Sequence, residues 1–211
     1  MKIYKIVSLL ISAILILSMS MAIVPPVSAS SEKKQDGGSE QRGYDPVTGQ
    51  LIFVGAPEGG VIASAVGGGT GPAAFVSAYG KAFGLSNPSN EVTSLSTAEY
   101  NGDTVTRYQQ VYQGIPVFGG NLVVNTDSTG GLLAMSGKIS SDISVDVTPK
   151  ITAEQAIATA KAVTFKAYQD TYHLKADSLS ASEPVLWIYD EKLFTDPVFG
   201  PQLVWKVDVT A

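Results

Sequence analysis

Arg107-Tyr-Gln-Gln-Val-Tyr-Gln-Gly-Ile-Pro-Val-Phe-Gly-Gly-Asn-Leu-Val-Val124 decides the fold. Arg107 to Tyr112 alternates in the manner of a half-buried strand, and Asn121 to Val124 begins another. Between them lies Gly114-Ile-Pro-Val-Phe-Gly-Gly120, with glycines that accept positive φ and a proline that stiffens the path. The reading is therefore strand, turn, strand.

Outward from this stretch the period stays at two from Val92 to Ile139. Asn101-Gly102-Asp103 separates Leu95–Tyr100 from Thr104–Tyr112, and Asn-Gly is the pair a tight hairpin turn prefers. Asn121–Thr126 and Leu132–Ile139 form another pair across Asp127-Ser-Thr-Gly-Gly131. The segment predicts an antiparallel meander of about four strands. Ahead of it, Pro72 suits a first helical position, Phe75, Val76, Tyr79 and Phe83 share one face, and Gly84 can close the end. A short amphipathic helix packed on the meander is expected.

Beyond Pro149, Thr152-Ala-Glu-Gln155 has capping-box spacing and opens a second helix, expected to reach about Gln169. Ala156, Ile157, Ala160, Val163 and Ala167 give it a narrow face of small residues, suited to lying on a sheet. Val185–Tyr189 and Leu203–Val209 read as strands around a Pro- and Gly-bearing loop, with Trp187, Tyr189, Trp205, Val207 and Val209 placed to share one core.

The start of the chain speaks to its compartment. Lys2 and Lys5 precede an apolar run from Ile6 to Val24, and Val27-Ser28-Ala29 offers the small residues a signal peptidase reads. Cleavage between Ala29 and Ser30, export to the extracellular space, and no retained membrane anchor are the expectations. The absence of cysteine leaves burial to hold the product together. Cleavage removes two lysines and no acid, so the balance of 14 basic to 19 acidic residues becomes 12 to 19. Nucleic-acid binding needs a cationic footprint, and the only arginines, Arg42 and Arg107, form none. Ser30 to about Gln50 is nearly empty of apolar residues, and Gly59-Gly60 and Gly67-Gly68-Gly69-Thr-Gly71 break the pattern again. Residues 30–71 therefore read as a flexible leader and connector, with Leu51–Val54 able to add one short strand.

Little in the composition points to catalysis. A zincin helix needs two histidines four apart with a glutamate between, and His173 is alone. His173 is read as the end of the second helix. A serine triad lacks its Gly-x-Ser-x-Gly elbow, and no cysteine nucleophile exists. Asp127-Ser-Thr-Gly130 has one residue too many for an aspartic-protease loop and reads as a polar turn. Asp190-Glu191 is expected to lie in an exposed loop, of no use for acid/base work. No metal or cofactor site is expected in this chain.

The strand–turn–strand residues Arg107, Tyr108, Gln109, Gly114, Pro116, Val117 and Gly119 match the signature of the fungalysin/thermolysin propeptide (FTP), which the region from Gly71 to Ile139 resembles. From Lys150 onward, the order helix, strand, strand resembles a PepSY domain. The resemblance implies an α+β pro-region of two modules, each a helix packed on an antiparallel sheet: residues 72–148 and 149–211, after a signal peptide at 1–29 and the leader at 30–71. It implies a partner, the catalytic domain of a thermolysin-like zinc metalloprotease, which the pro-region helps to fold and keeps inhibited. Zinc and calcium would belong to that absent domain, and the chain would be a fragment of the precursor, truncated near its final strand. The seven signature residues are read as turn geometry and packing, with direct protease contact as the alternative. Two further readings are a free-standing exported protease inhibitor or binding protein and a surface adhesion module.

Overall fold

Asn101 and Gly102 take φ of +53° and +90°, and Tyr100 pairs with Asp103 across them, so the Asn-Gly turn is the two-residue hairpin its chemistry favours. Around it, the computed structural model describes residues 40–211; the expected cleavage site at Ala29 and Ser30 lies outside them. In chain order the elements are β1 (Gln41–Tyr44), β2 (Leu51–Gly55), α1 (Pro72–Phe83), β3 (Val92–Tyr100), β4 (Asp103–Tyr112), β5 (Ile115–Thr126), β6 (Leu132–Lys138), α2 (Ala153–Tyr172), β7 (Ser180–Ala181), β8 (Val185–Tyr189), β9 (Gln202–Lys206) and β10 (Val209–Thr210). The fold class is α+β. Among the described residues no helix is long and apolar enough to cross a membrane.

Two compact units divide the described chain: residues 40–148 with 186–204, and residues 149–185 with 205–211. In the larger unit the sheet runs β1-β2-β6-β5-β4-β3, with β8 joined to β5 and β9 to β8. β1 to β6 pair antiparallel, whereas β8 meets β5 in a parallel bridge at Val117 and Ile188. Pro72 starts α1 and Gly84 ends it in a left-handed cap. The face carrying Phe75, Val76, Tyr79 and Phe83 is buried over β2, β5 and β6, against Val54, Leu122, Val124, Leu132 and Met135. Fully burying each such side chain contributes roughly 1.5–3 kcal/mol, which makes this cluster the main source of stability.

Three expectations are corrected here. Leu51 and Val54, at 1% and 0% exposure, belong to this core, and β1 pairs with β2, so the larger unit begins well before Pro72. The glycine-rich connector is also tied down, through Ile62 paired with Leu132, buried Ala65, and Gly71 N–H bonded to the Gly130 carbonyl at 2.7 Å. At the other end, β8 and residues 202–204 of β9 join this unit, because Val117 binds Ile188 and the two share a buried cluster with Leu193.

In the smaller unit, Thr152 and Gln155 form both bonds of the capping box, and His173 closes α2 at φ +51°. β7 and β10 pair over only two residues each, and Trp205 Nε1 donates to the Ile151 carbonyl at 3.1 Å. So short a ribbon cannot cover the small-residue face of α2: Ala156 is buried, but Val163 remains 62% exposed. Nor do the five residues expected to share a core do so, since Trp187 and Tyr189 sit in the larger unit and Trp205 in the smaller.

Candidate functional site: the bulge and its aromatic ridge

The site grows from a departure in register. Pro116 lies opposite Val111, and Asn121 opposite Gln109, so Val117–Gly120 all stand against Gln110. The turn that reverses the chain is only Gln113-Gly114, at φ of +49° and +82°; the residues after Gly114 are the bulged start of β5, not a long turn. A bulge this large strands backbone carbonyls, and buried carbonyls need donors. Gln109, 6% exposed, supplies them: its Nε2 donates to Val117 O at 2.6 Å, Gly120 O at 2.9 Å and Gln110 O at 3.0 Å. Two amide hydrogens are thus shared among three acceptors.

Gln110 serves a second connection. Its Oε1 accepts from Ser140 N at 2.9 Å and its Nε2 donates to Ser140 O at 2.7 Å, which extends the pairing of β4 beyond backbone reach. Ser140 Oγ in turn donates to Asp190 Oδ2 at 2.5 Å, while Asp190 Oδ1 accepts from Lys192 N at 3.1 Å. Asp190 is fully buried, contrary to the expected exposed loop, because these donors replace the water it gives up. Beside it, Glu191 Oε2 accepts from Val198 N at 2.7 Å and Phe199 N at 3.1 Å, which pins the far end of the loop.

On this polar frame stands a cluster of rings. Phe118 meets Trp187 edge-on at 5.9 Å and Phe194 at 5.6 Å, and Tyr189 stacks on Phe194 at 5.9 Å. Gly119, at φ +79°, lets Phe194 approach; a Cβ there would collide with that ring. A cleft of about 700 Å³ adjoins Phe194, with Asp45, Lys138, Asp142, Lys192 and Asp196 in its wall. The Asp45 carboxyl is held down to about 2 by the backbone N–H groups of Thr48 and Val47, with Lys138 at 3.1 Å adding to them. Among the described residues no three His, Cys, Asp or Glu side chains gather as a metal would require.

The signature residues therefore separate. Gln109, Val117 and Gly119 meet at the bulge, with Pro116 at its edge and Gly114 in the turn. Tyr108 packs with the α1 core instead, and Arg107 is exposed opposite Ser96 and Val123. Gln110, Ser140, Asp190, Glu191 and Phe194 were not foreseen as site residues. One signal existed: adjacent glutamines inside a strand put an amide on each face, and both amides must find partners if that strand is buried. Asp127, by contrast, behaves as the turn reading expects. Its Oδ1 accepts from Thr129 N, Thr129 Oγ1 and Gly131 N, and these bonds, that from the Thr129 hydroxyl first, lower its carboxyl.

Residues 91–139, which span β3 to the end of β6, match the Fungalysin/Thermolysin Propeptide Motif. The chain is 43% identical over 63 residues to the hemagglutinin/proteinase of Vibrio cholerae, a match that covers 28% of this chain and 10% of that protein. The chain thus spans about a tenth of the curated relative it matches. Both matches agree with the resemblance to the pro-region of a thermolysin-like metalloprotease precursor. Among solved structures, the Bacillus megaterium YpeB C-terminal domain aligns at 14% identity and a TM-score of 0.35, covering 80% of this chain and 70% of that one.

Proposed function

We propose that this chain, which carries a fungalysin/thermolysin propeptide motif, is the pro-region of an exported thermolysin-like zinc metalloprotease and acts on its catalytic domain as folding assistant and inhibitor. The match of residues 91–139 to the propeptide motif carries the reading. In it the chain leaves the cell by cleavage after Ala29, has no catalysis of its own, and acts by binding; zinc and calcium belong to the catalytic domain. Residues 149–211 take the place of a PepSY module. A pro-region speeds folding by binding the folding transition state better than the unfolded chain, and inhibits by also binding the native enzyme.

The test adds the purified chain to a thermolysin-like catalytic domain from the same source. Caseinolytic activity is expected to fall as the chain is added, to return as the protease digests it, and refolding yield is expected to rise. The expected dissociation constant is about 1 μM or tighter, near −8 kcal/mol. A catalytic domain neither slowed by a large molar excess nor refolded better in its presence overturns the reading in favour of a free-standing binding or adhesion module.

A further inference from the structure

We propose that the ridge of Phe118, Phe194, Val198 and Phe199 is the surface that seats the pro-region on its protease, and that its counterpart is an apolar socket with a cationic rim. The inference rests on the pro-region reading and names the contact through which it acts.

Phe118 is 38% exposed, Phe194 53%, Phe199 58% and Val198 79%. Single exposed apolar residues need no explanation, but here Phe118 and Phe194 are in ring contact and the others follow on the same loop. That loop is held in place. Glu191 grips Val198 and Phe199 through two backbone N–H bonds, its own carbonyl accepts from Phe194 N and Thr195 N, and buried Asp190 ties the loop's base to Ser140. Buried or bonded carboxylates are thus used to keep apolar side chains facing water. An ordered aromatic surface loses little freedom on binding, which is what an interface anchor requires.

The neighbouring charges choose the occupant. The adjoining cleft carries Asp142 and Asp196 against Lys192, with Asp45 and Lys138 paired at 3.1 Å, and the chain cleaved after Ala29 keeps 12 basic to 19 acidic residues. A second copy would bring the same net negative charge against itself, whereas a partner with basic side chains around an apolar depression meets attraction. In a precursor that partner is the catalytic domain.

The probe is a thermolysin-like catalytic domain from the same source, with its metal kept and the glutamate of its His-Glu-x-x-His helix replaced by glutamine so that it cannot digest the chain, and binding is followed by calorimetry. Val198→Asp and Phe199→Asp alter exposed side chains while leaving the N–H groups that Glu191 holds, and melting confirms that each variant folds. Each is expected to weaken binding at least about tenfold, while Tyr100→Ser, on the distant edge strand β3 and 75% exposed, leaves it unchanged. Added salt is expected to weaken the parent further. If the parent binds and both aspartate variants bind equally well, the ridge is overturned and the pro-region reading stands. If the parent does not bind, both fall. Sedimentation should show a monomer; a dimer that Phe199→Asp dissolves would make a second copy the occupant and overturn the proposal.

Discussion

Two buried clusters hold the larger unit together, by different chemistry. Beneath α1, Phe75, Phe83, Leu122, Val124, Leu132 and Met135 meet with no side-chain hydrogen bond needed among them. Around the bulge Val117, Ile188 and Leu193 are the buried apolar residues among those described, with Tyr112, Ile115, Ile143, Val145 and Leu203 half-buried against them, and Gln109, Gln110, Ser140 and Asp190 share the interior. The first cluster gains stability from area and accepts many shapes of similar volume. The second gains less from area and allows few arrangements, because its buried carbonyls, amides and carboxylate have specific partners. That is the kind of region in which a surface can be held in one geometry.

The largest expected effect separates the two. Gln109→Glu keeps the size of the side chain but sets a carboxylate against three carbonyl oxygens in a buried bulge, and leaving a buried charge unpaired costs on the order of 3–5 kcal/mol. Phe75→Ala in the other cluster costs a comparable amount, roughly 3–5 kcal/mol, by opening a cavity. The readouts distinguish them. Gln109→Glu should collapse the near-ultraviolet circular dichroism of the Phe118–Trp187 cluster as well as the melting temperature, whereas Phe75→Ala should lower melting and leave that signal standing. Equal loss of the aromatic signal in both would mean that the clusters are one cooperative body.

The same contrast explains what could be read from the sequence. The α1 core was legible because apolar spacing announces it: Phe75, Val76, Tyr79 and Phe83 need only a helical period, and Leu122 to Val124 only a strand period. The Asn101-Gly102 turn was legible because two adjacent positive φ values favour those residues. The bulge was not, since Gly-Ile-Pro-Val-Phe-Gly-Gly has turn composition and its extended path is enforced by Gln109 from the neighbouring strand. Asp190 misled for a related reason: a carboxylate at a strand end reads as exposed until Ser140, fifty residues earlier, supplies the donor. The leader misled because β2 anchors it, and the burial of Leu51 and Val54 depends on α1 and β6 rather than on local composition.

A smaller effect tests whether the ridge depends on the bulge. Gly114 and Gly119 both sit at positive φ, but a Cβ at Gly114 would meet open space while one at Gly119 would strike Phe194. Alanine at Gly114 is expected to cost about 1 kcal/mol in backbone strain alone. Alanine at Gly119 should cost toward 3 kcal/mol, and it should also shift Phe194, changing the aromatic circular dichroism. Equal melting losses without a spectral change would show that Phe194 moves aside freely and that the stack is looser than its 5.9 Å contact with Tyr189 implies.

The smallest effect lies at a polar contact on the α1 side, where Tyr79 Oη donates to Glu40 Oε1 at 2.5 Å and Arg42 lies 6.0 Å from the ring centre. Burial, with the Glu40 carboxylate adding to it, pushes the Tyr79 phenol up to about 12, from near 10 when unfolded. The neutral phenol is therefore favoured in the folded state. Its contribution to stability is fully present below pH 10 and is lost as pH rises from 10 through 12. Glu40 works in the opposite sense: the Tyr79 bond first, and Arg42 after it, lower its carboxyl, so that contribution is lost only as acid protonates it. Tyr79→Phe should cost about 1 kcal/mol near neutral pH, a few degrees of melting. It should also flatten the fall in melting temperature between pH 10 and 12, leaving the smaller slope due to Tyr108, whose phenol burial also raises. Melting curves of parent and variant across that range decide the matter: an alkaline fall of the same size in Tyr79→Phe would mean that β1 is held to the α1 side by its four-residue ladder with β2 and not by the Glu40 contact.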